Sequence, residues 1–241
     1  MNKPILGVLG GVGPLATAYF MEAVIKRTPA RADQDNIPMI VFNDPQIPDR
    51  TAYILDHDEP NPVPEMAKVA RWLQDAGADY IAIPCNTAHY FYDTIDREVS
   101  IPVLNIMDET ARHIAQKIGA PSTVGLLATE GTASSGVFQS YLEREGMQTV
   151  VPDKETQRLV SHIIYDQVKA NVPYDRAAFL DAAHTLRKRG CDAVVVGCTE
   201  LSVIYQDLET RPSWLFDSLD ILARRCVEFY LKERASHAEE I

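Results

Sequence analysis

The sequence predicts an α/β protein built from two pseudo-symmetric domains, each a parallel sheet flanked by helices. Short apolar strands alternate with helical patterns along its 241 residues, as parallel sheets require because their strands are joined by crossover helices. Three blocks of the first half also recur, in the same order, in the second half. Ligands of such sheets bind beyond the carboxyl ends of the strands. The active site should therefore lie in a cleft between the two domains.

The repeated blocks indicate an internal duplication. A block from Gly77 to His89 recurs at Gly190–Leu201 and aligns Cys85 with Cys198. The block Ile5–Pro14 recurs as Thr123–Thr132, and Val103–Ala111 recurs from Trp214 onwards. Each cysteine then stands at the end of an equivalent strand.

The elements follow from local patterns taken in order. Pro14 suits the first position of a helix, where its missing N–H costs nothing, and Met66, Val69, Ala70 and Leu73 mark one face of another. The predicted strands are Ile5–Leu9, Met39–Asn43, Tyr80–Ile83, Val103–Ile106, the run from Thr123, Thr149–Val151, the run before Cys198 and Trp214–Phe216. The predicted helices are 15–26, 65–76, 108–118, 138–145, 155–169, 177–189 and the segment from Leu219. Asp44–Pro64 reads as a proline-rich loop of functional type.

Composition excludes several classes of protein. A formal net charge of −11 argues against a nucleic-acid partner or an anionic membrane surface. No signal peptide or long apolar run is present, so we expect a cytoplasmic protein. The four cysteines include no C-x-x-C pair, and no other cluster has the spacing of metal ligands. We therefore expect free thiols and no metal site.

Cys85 and Cys198 are the candidate catalytic groups. The residues around Cys85 change abruptly from apolar to polar, and both thiols should precede helices, whose N-termini lower a thiol pKa. The alternative is that they are small buried hydrophobes, the role we assign to Cys191 and Cys226. His89, one helical turn after Cys85, could tune that thiol, bind a ligand or simply pack.

A glycine turn and two cations complete the candidates. Gly11-x-Gly13-x-x-Ala16 fits the loose dinucleotide fingerprint, but the acidic residue expected about 20 positions later is missing. Backbone N–H groups that approach a small anion, such as a carboxylate, are the favoured interpretation. Arg50 and Lys169 are either solvated surface charges or ligands of such an anion.

Four separated motifs together resemble a known family. They are Leu9–Thr17, Pro45–Tyr53, Pro84–His89 and Gly197–Leu201. Their sequences are similar to those of the aspartate/glutamate racemases, with the aspartate racemases as the nearest match, over almost the whole chain. Val12, where methionine is frequent, and Lys169-Ala170-Asn171, where a glycine often precedes the Asn, depart from the family pattern.

The resemblance implies a homodimeric, cofactor-independent racemase acting on a small acidic amino acid. Its domains would be 1–102 with 213–241, and 103–212, with crossings near Pro102 and Pro212. The family's acid and base correspond to Cys85 and Cys198. Its substrate-binding positions correspond to Asp49, Arg50, Thr51, Asn86, Thr87, Ala88 and Lys169.

A two-base mechanism follows from this assignment. One cysteine, as a thiolate, would remove the α-hydrogen of aspartate and the other, as a thiol, would protonate the opposite face. Arg50 and Lys169 would hold the side-chain carboxylate. Charge on the α-carboxylate would be stabilised by Gly11, Asn86, Thr87, Thr132 and Thr199. Alternatives are glutamate or broader specificity, another reaction beside a carboxylate, and a non-catalytic sensor of acidic amino acids.

Overall fold

Two four-stranded parallel sheets form the framework of the protein. The computed structural model describes the backbone of residues 3–239 and the side-chain surroundings of residues 3–235. The first sheet has the order β2-β1-β3-β4 and the second the order β6-β5-β7-β8. The strands are β1 Leu6–Gly10, β2 Met39–Asn43, β3 Tyr80–Ala82, β4 Val103–Leu104, β5 Ser122–Leu127, β6 Met147–Val150, β7 Ala193–Val196 and β8 Leu215–Asp217. Because both sheets use the same order, the predicted fold class of two similar parallel sheets is confirmed.

Helices cover the faces of both sheets. They are α1 Pro14–Arg27, α2 Arg50–Leu55, α3 Val63–Asp75, α4 Tyr92–Asp96, α5 Ile106–Ile118, α6 Glu130–Ser135, α7 Val137–Arg144, α8 Lys154–His162, α9 Arg176–Lys188, α10 Thr199–Gln206 and α11 Ser218–Glu239. Short 3₁₀ helices occupy Asp33–Asp35 and Thr87–Phe91, and a π-helical segment, Ile163–Val168, continues α8. The helix predicted at 155–169 is therefore interrupted by a wider turn, a feature that is frequent at functional sites.

The proline-rich segment Asp44–Pro64 is only partly a loop. It contains α2, which begins where the Asp49 carboxylate accepts a hydrogen bond of 2.9 Å from the backbone N–H of Ala52. An Asp that accepts from the third residue after it is a typical N-cap. The surrounding prolines obscured this helix in the sequence, and its first residues belong to the candidate site.

The duplication extends to individual hydrogen bonds. The Asp79 carboxylate accepts from the backbone N–H of Ile5 at 2.6 Å, and its counterpart Asp192 accepts from Thr123 at 2.8 Å. Each bond ties the start of a sheet's third strand to the strand beside it. Gly77 and Gly190, just before these aspartates, have φ angles of +96° and +87°, which residues with a Cβ adopt only with strain.

The last strand of each sheet lies just after a proline at which a crossing between domains is expected. β4 pairs with β3 in the first sheet, and β8 pairs with β7 in the second. β4 follows Pro102 and β8 follows Pro212, yet each strand pairs with the sheet that comes before it in the chain. The helices that follow pack across the halves, α5 against α7 and α11 against α1.

This exchange produces one central core between the sheets. The largest cluster of buried apolar residues joins side chains of both sheets with α5 and α11, including Phe20, Met107, Phe138 and Cys226. Cys191 is also buried, under 2% exposed, in a second cluster. Within residues 3–239, no helix is both long and apolar enough to cross a bilayer.

Candidate active site

Cys85 and Cys198 lie at equivalent strand ends, beyond β3 and β7. Their relative exposures are 5% and 3%, and both are free thiols. Cys198 is the N-cap of α10, whereas Cys85 precedes the 3₁₀ helix Thr87–Phe91 rather than the expected α-helix. The backbone N–H of Ala88 acts to lower the pKa of Cys85, and the backbone N–H of Glu200 acts to lower that of Cys198.

A cleft between the two halves reaches Cys85 and Glu200, the hydrogen-bond partner of Cys198. Its inner part is a cavity of about 10 Å³, lined by Val12, Asp49, Arg50, Thr51, Cys85, Thr87, Thr129, Lys169 and Glu200. Its outer part is a pocket of about 490 Å³, lined by Gly11, Gly13, Pro14, Leu15, Ala16, Pro45, Ile47, Asp49, Arg50, Val168, Lys169, Asn171 and Glu200. Both parts share four charged residues, Asp49 and Arg50 from the first half and Lys169 and Glu200 from the second. A ligand that moves from the outer pocket towards Cys85 therefore passes these charges.

Glu200 lies within the Gly197–Leu201 motif, but its sequence context alone does not indicate a role in the site. Its side chain is 5% exposed, and its Oε2 accepts a hydrogen bond of 3.1 Å from the Cys198 thiol. The available signal was a departure within the repeat, because Thr87 occupies the equivalent position after Cys85. The two thiols therefore have different immediate partners.

Three threonine hydroxyls join the halves beside Cys85. Thr87, from the first half, lies 3.0 Å from the hydroxyls of both Thr129 and Thr132, which are 3.1 Å from each other. Each hydroxyl has one proton to donate and lone pairs to accept, so the three can form a closed ring. Thr132, a predicted site residue, thus contacts Thr87 directly.

Asn86 and Thr199 are the equivalent residues that directly follow the two cysteines. The amide nitrogen of Asn86 donates to the Ser218 hydroxyl at 2.8 Å, which donates in turn to the Val196 carbonyl. This chain links the Cys85 turn to β7 of the other half. Asn86 and Thr199 are each 1% exposed.

His89 holds the Cys85 turn in place without contacting the sulfur. Its Nδ1 lies 2.8 Å from the Cys85 carbonyl oxygen, and its Nε2 accepts from the backbone N–H of Ile106 at 3.2 Å. These partners fix the neutral tautomer with the proton on Nδ1. Burial lowers the pKa of His89 to about 4. Of the roles left open by the sequence, the geometry supports packing and positioning.

Arg50, Asp49 and Lys169 form the charged wall of the cleft. The Arg50 Nη1 donates to the carbonyl oxygens of Ile47 and Pro48 at 3.1 and 2.9 Å, so its guanidinium is fixed in a buried position. Lys169 Nζ lies 3.3 Å from the Asp49 carboxylate and 4.4 Å from the centre of the Tyr165 ring.

Opposite charges shift the titration of this pair. Burial alone would lower the pKa of Lys169, but Glu200, Tyr165 and Asp49 together raise it. Burial would likewise raise the pKa of Asp49, and Lys169, the Ala52 N–H and Arg50 lower it instead. Arg50 is therefore a buried cation of the cleft, whereas Lys169 is a partly exposed one held by Asp49 and the Tyr165 ring.

The glycine turn does not offer the predicted Gly11 N–H to a ligand. That group donates instead to the Thr17 hydroxyl at 3.1 Å. A Cβ on Gly11 would lie 2.2 Å from the backbone of Asp44, so the glycine is needed for close packing beside the pocket. Gly11 lines the outer pocket through its remaining atoms.

The expectation that helix N-termini lower both thiol pKa values is wrong. Burial raises the pKa of Cys85, although Arg50 acts against this rise. Burial and the carboxylate of Glu200 raise the pKa of Cys198 well above its usual range. Removal from water penalises a thiolate more than a few backbone N–H groups favour it.

Several buried polar atoms, on the cleft wall and in the residues directly after the two cysteines, lack a hydrogen-bond partner among the described residues. They are Arg50 Nε, Asn86 Oδ1, Thr199 Oγ1 and Glu200 Oε1. Unpaired buried polar groups cost about 1–3 kcal/mol each, so the two on the cleft wall, Arg50 Nε and Glu200 Oε1, are available to a polar ligand. Across the described part of the chain, no three His, Cys, Asp or Glu side chains are grouped as metal ligands.

Comparisons with known proteins agree with this architecture. The broad-specificity amino-acid racemase RacX of Bacillus subtilis is 29% identical over 231 residues, which cover 94% of this chain and 98% of that protein. The structure of Picrophilus torridus aspartate racemase superimposes with a TM-score of 0.78 at 29% identity and covers 94% of both chains.

A more distant likeness concerns the fold alone. Glutamate racemase from Francisella tularensis, solved with D-glutamate, has a TM-score of 0.65 at 19% identity and covers 97% of this chain and 82% of its own. The family model described as Asp/Glu/hydantoin racemase matches residues 9–226. Since that match spans nearly the whole chain, the protein belongs to the Asp/Glu/hydantoin racemase family of isomerases.

Proposed function

We propose that the protein is a cofactor-independent aspartate racemase that uses Cys85 and Cys198 as its two proton-transfer groups. The proposal is supported by two free thiols at equivalent strand ends: Cys85 lines the inner cavity, and Cys198 donates a hydrogen bond to Glu200, which lines the same cavity. Racemisation requires a base on one face of the α-carbon and an acid on the other. A protein built from two similar halves can supply one group from each.

The reaction transfers two protons. A cysteine thiolate takes the α-proton, and the electron pair left behind is delocalised into the α-carboxylate. The opposing cysteine thiol then donates its proton to the other face and becomes the thiolate. The chain's own thiols supply both steps, so the mechanism requires no cofactor.

Two of the unpaired groups, the Arg50 Nε–H and the Thr199 hydroxyl, can donate hydrogen bonds to carboxylates of the substrate. Arg50 has further N–H donors beyond the Nη1 that is bound to Ile47 and Pro48, and guanidinium groups bind carboxylates through paired hydrogen bonds. The hydroxyls of Thr87 and Thr199 lie in the turns that directly follow the two cysteines. We assign Arg50 and Lys169 to the side-chain carboxylate and these hydroxyls, with Asn86, to the α-carboxylate.

Broader specificity is the second candidate, and the charges of the cleft favour it. Asp49 and Glu200 formally balance Arg50 and Lys169, so the wall is not strongly positive. The outer pocket also presents apolar Leu15, Ile47 and Val168, which could accept uncharged side chains. Relative rates with aspartate, glutamate, asparagine and alanine enantiomers distinguish the two candidates.

Hydrogen exchange in D₂O tests racemisation directly. Purified protein incubated with L-aspartate should produce D-aspartate that carries deuterium at the α-carbon, measured by NMR and chiral chromatography. A protein that only binds acidic amino acids would bind aspartate in calorimetry and exchange no α-hydrogen. The absence of exchange with every amino acid of the panel would reject the proposal.

We also propose that the enzyme is a homodimer. The proposal is supported by its resemblance to the aspartate/glutamate racemases. Light scattering after size-exclusion chromatography should give twice the mass of one 26.9 kDa chain. A monomeric mass at micromolar concentration would contradict it.

A further inference from the structure

The two thiols occupy unlike electrostatic surroundings despite their equivalent places in the fold. Cys198 donates to a buried carboxylate, Glu200, at 3.1 Å. At the corresponding position after Cys85 stands Thr87, whose neutral hydroxyl bonds to other threonines. The duplication has therefore kept both sulfurs and differentiated their partners.

The charges that face each sulfur reinforce the difference. Arg50 is the strongest charged neighbour of Cys85, followed by the opposing effect of Glu200 and then by Lys169. Around Cys198 the strongest charged neighbour is instead the anion Glu200, followed by Lys169. Tyr165 also lies close enough to interact with Cys198 and with Lys169. A thiolate is thus favoured by a cation at Cys85 and opposed by an anion at Cys198.

We propose that Glu200 holds Cys198 as the thiol in the resting enzyme, so that Cys85 is the sulfur that ionises first and acts as the initial base. Glu200 is then a positioning residue that acts through Cys198. This inference rests on the proposed racemase function. It adds which of the two cysteines is the thiolate in the resting enzyme.

The proton balance gives this asymmetry a chemical meaning. In the first direction the Cys85 thiolate forms an S–H bond with the α-proton, and the Cys198 S–H bond breaks as its proton passes to carbon. The enzyme then holds a Cys85 thiol and a Cys198 thiolate, which lies against the Glu200 carboxylate. Like charges at this separation repel strongly in a buried site. The second form is therefore the less stable one.

The kinetic consequence appears in kcat and KM separately. Enantiomers have equal free energies in water, so kcat/KM must be the same in both directions. The enantiomer that requires the Cys198 thiolate must find a minor form of the enzyme, which raises its apparent KM. Glu200→Gln should bring the two KM values closer together.

Thiol alkylation tests the proposal without reference to turnover. Purified protein is treated with iodoacetamide over a range of pH, and peptide mass spectrometry follows the rate at each cysteine. The thiolate sulfur displaces iodide, so the pH midpoint reports ionisation, whereas accessibility affects the absolute rate. We expect Cys85 to have a lower midpoint than Cys198 by at least about one pH unit.

The Glu200→Gln variant removes the charge and keeps the shape of the side chain. The midpoint of Cys198 should fall by at least about one pH unit, and that of Cys85 should fall less. Glu65→Gln, which removes the same charge from an exposed position on α3, should change neither. Arg50→Gln should raise the midpoint of Cys85 more than that of Cys198.

Ultraviolet thiolate titration of Cys85→Ser and Cys198→Ser gives a second measurement that needs no reagent access. The proposal would be overturned if Cys198 ionised at lower pH than Cys85 in both measurements. It would also be overturned if Glu200→Gln changed the Cys198 midpoint no more than Glu65→Gln does. Neither the alkylation rates nor the ultraviolet titration depends on racemase activity. An inactive protein with the expected midpoints would refute the enzyme assignment alone, and an active one with reversed midpoints would refute only the role of Glu200.

Discussion

The buried imidazole of His89 should make part of the protein's stability depend on pH in a way that one substitution removes. His89→Leu keeps a side chain of similar size but loses two hydrogen bonds. The backbone N–H of Ile106 lies in the first turn of α5, where no carbonyl within the helix can accept it. Two buried groups without partners cost about 1–3 kcal/mol each, so we expect a loss of about 2–4 kcal/mol at pH 7.

The sign of the pH dependence follows from the lowered pKa. His89 titrates at about 4 in the folded protein and at about 6.5 when unfolded. Its contribution is therefore complete above the unfolded value, and falls as pH decreases from there towards the folded value. Between pH 7 and pH 5 the wild type loses about 2 kcal/mol through this group. The leucine variant has nothing to protonate, so its destabilisation should be about 2 kcal/mol smaller at pH 5.

Urea denaturation at both pH values measures the difference. Met107→Ala is the control, because it leaves a cavity in the same buried region and changes no titrating group. It should lower the free energy of unfolding by the same amount at pH 7 and pH 5. If His89→Leu were equally destabilising at both pH values, the neutral buried imidazole would be the wrong description. Thermal midpoints should follow the same order, at about 2–4 °C per kcal/mol for a protein of this size.

Three further predictions concern the cleft and its support. Cys85→Ser and Cys198→Ser should each slow racemisation by about 10²–10⁴-fold, with Cys191→Ser as the buried control; near-normal turnover in either would rule out the two-base scheme. Arg50→Ala should raise KM by about 10-fold or more by removing a charge-assisted hydrogen bond to the substrate, and unchanged steady-state kinetics would exclude Arg50 from binding. Burial raises the pKa of Asp217 to about 7, so folding retains its proton and wild-type stability falls as pH rises from about 4 to 7. Asp217→Asn should therefore gain about 3 kcal/mol relative to wild type over that interval, and a constant difference in urea denaturation would contradict it.

The sequence was sufficient to predict the sheets and the pair of cysteines. β7 is a run of Ala193 and three valines that is buried throughout, and such runs identify parallel strands without tertiary information. The aligned Cys85 and Cys198 needed only the internal repeat. Local patterning and duplication are both properties of the chain alone.

Other features depend on tertiary contacts that spacing does not encode. The Gly11 N–H donates to Thr17 of the following helix, α1. The thiol pKa values rise because both thiols are buried in the folded protein. Glu200 was visible as a departure from the repeat at Thr87, but its contact with Cys198 requires the conformation of the α10 N-terminus. The exchange of α5 and α11 between halves likewise follows from packing, not from local pattern.

That exchange also bears on how an asymmetric site can arise. A single half, ending after its fourth strand and helix, would leave that helix without its partner surface and would need a second copy to cover it. In such a symmetric pair both sulfurs would have identical neighbours, since one gene would specify each. Joining the copies into one chain makes the contact intramolecular and lets each repeat change independently. The carboxylate beside one sulfur and the hydroxyl beside the other are differences that a pair of identical chains cannot have.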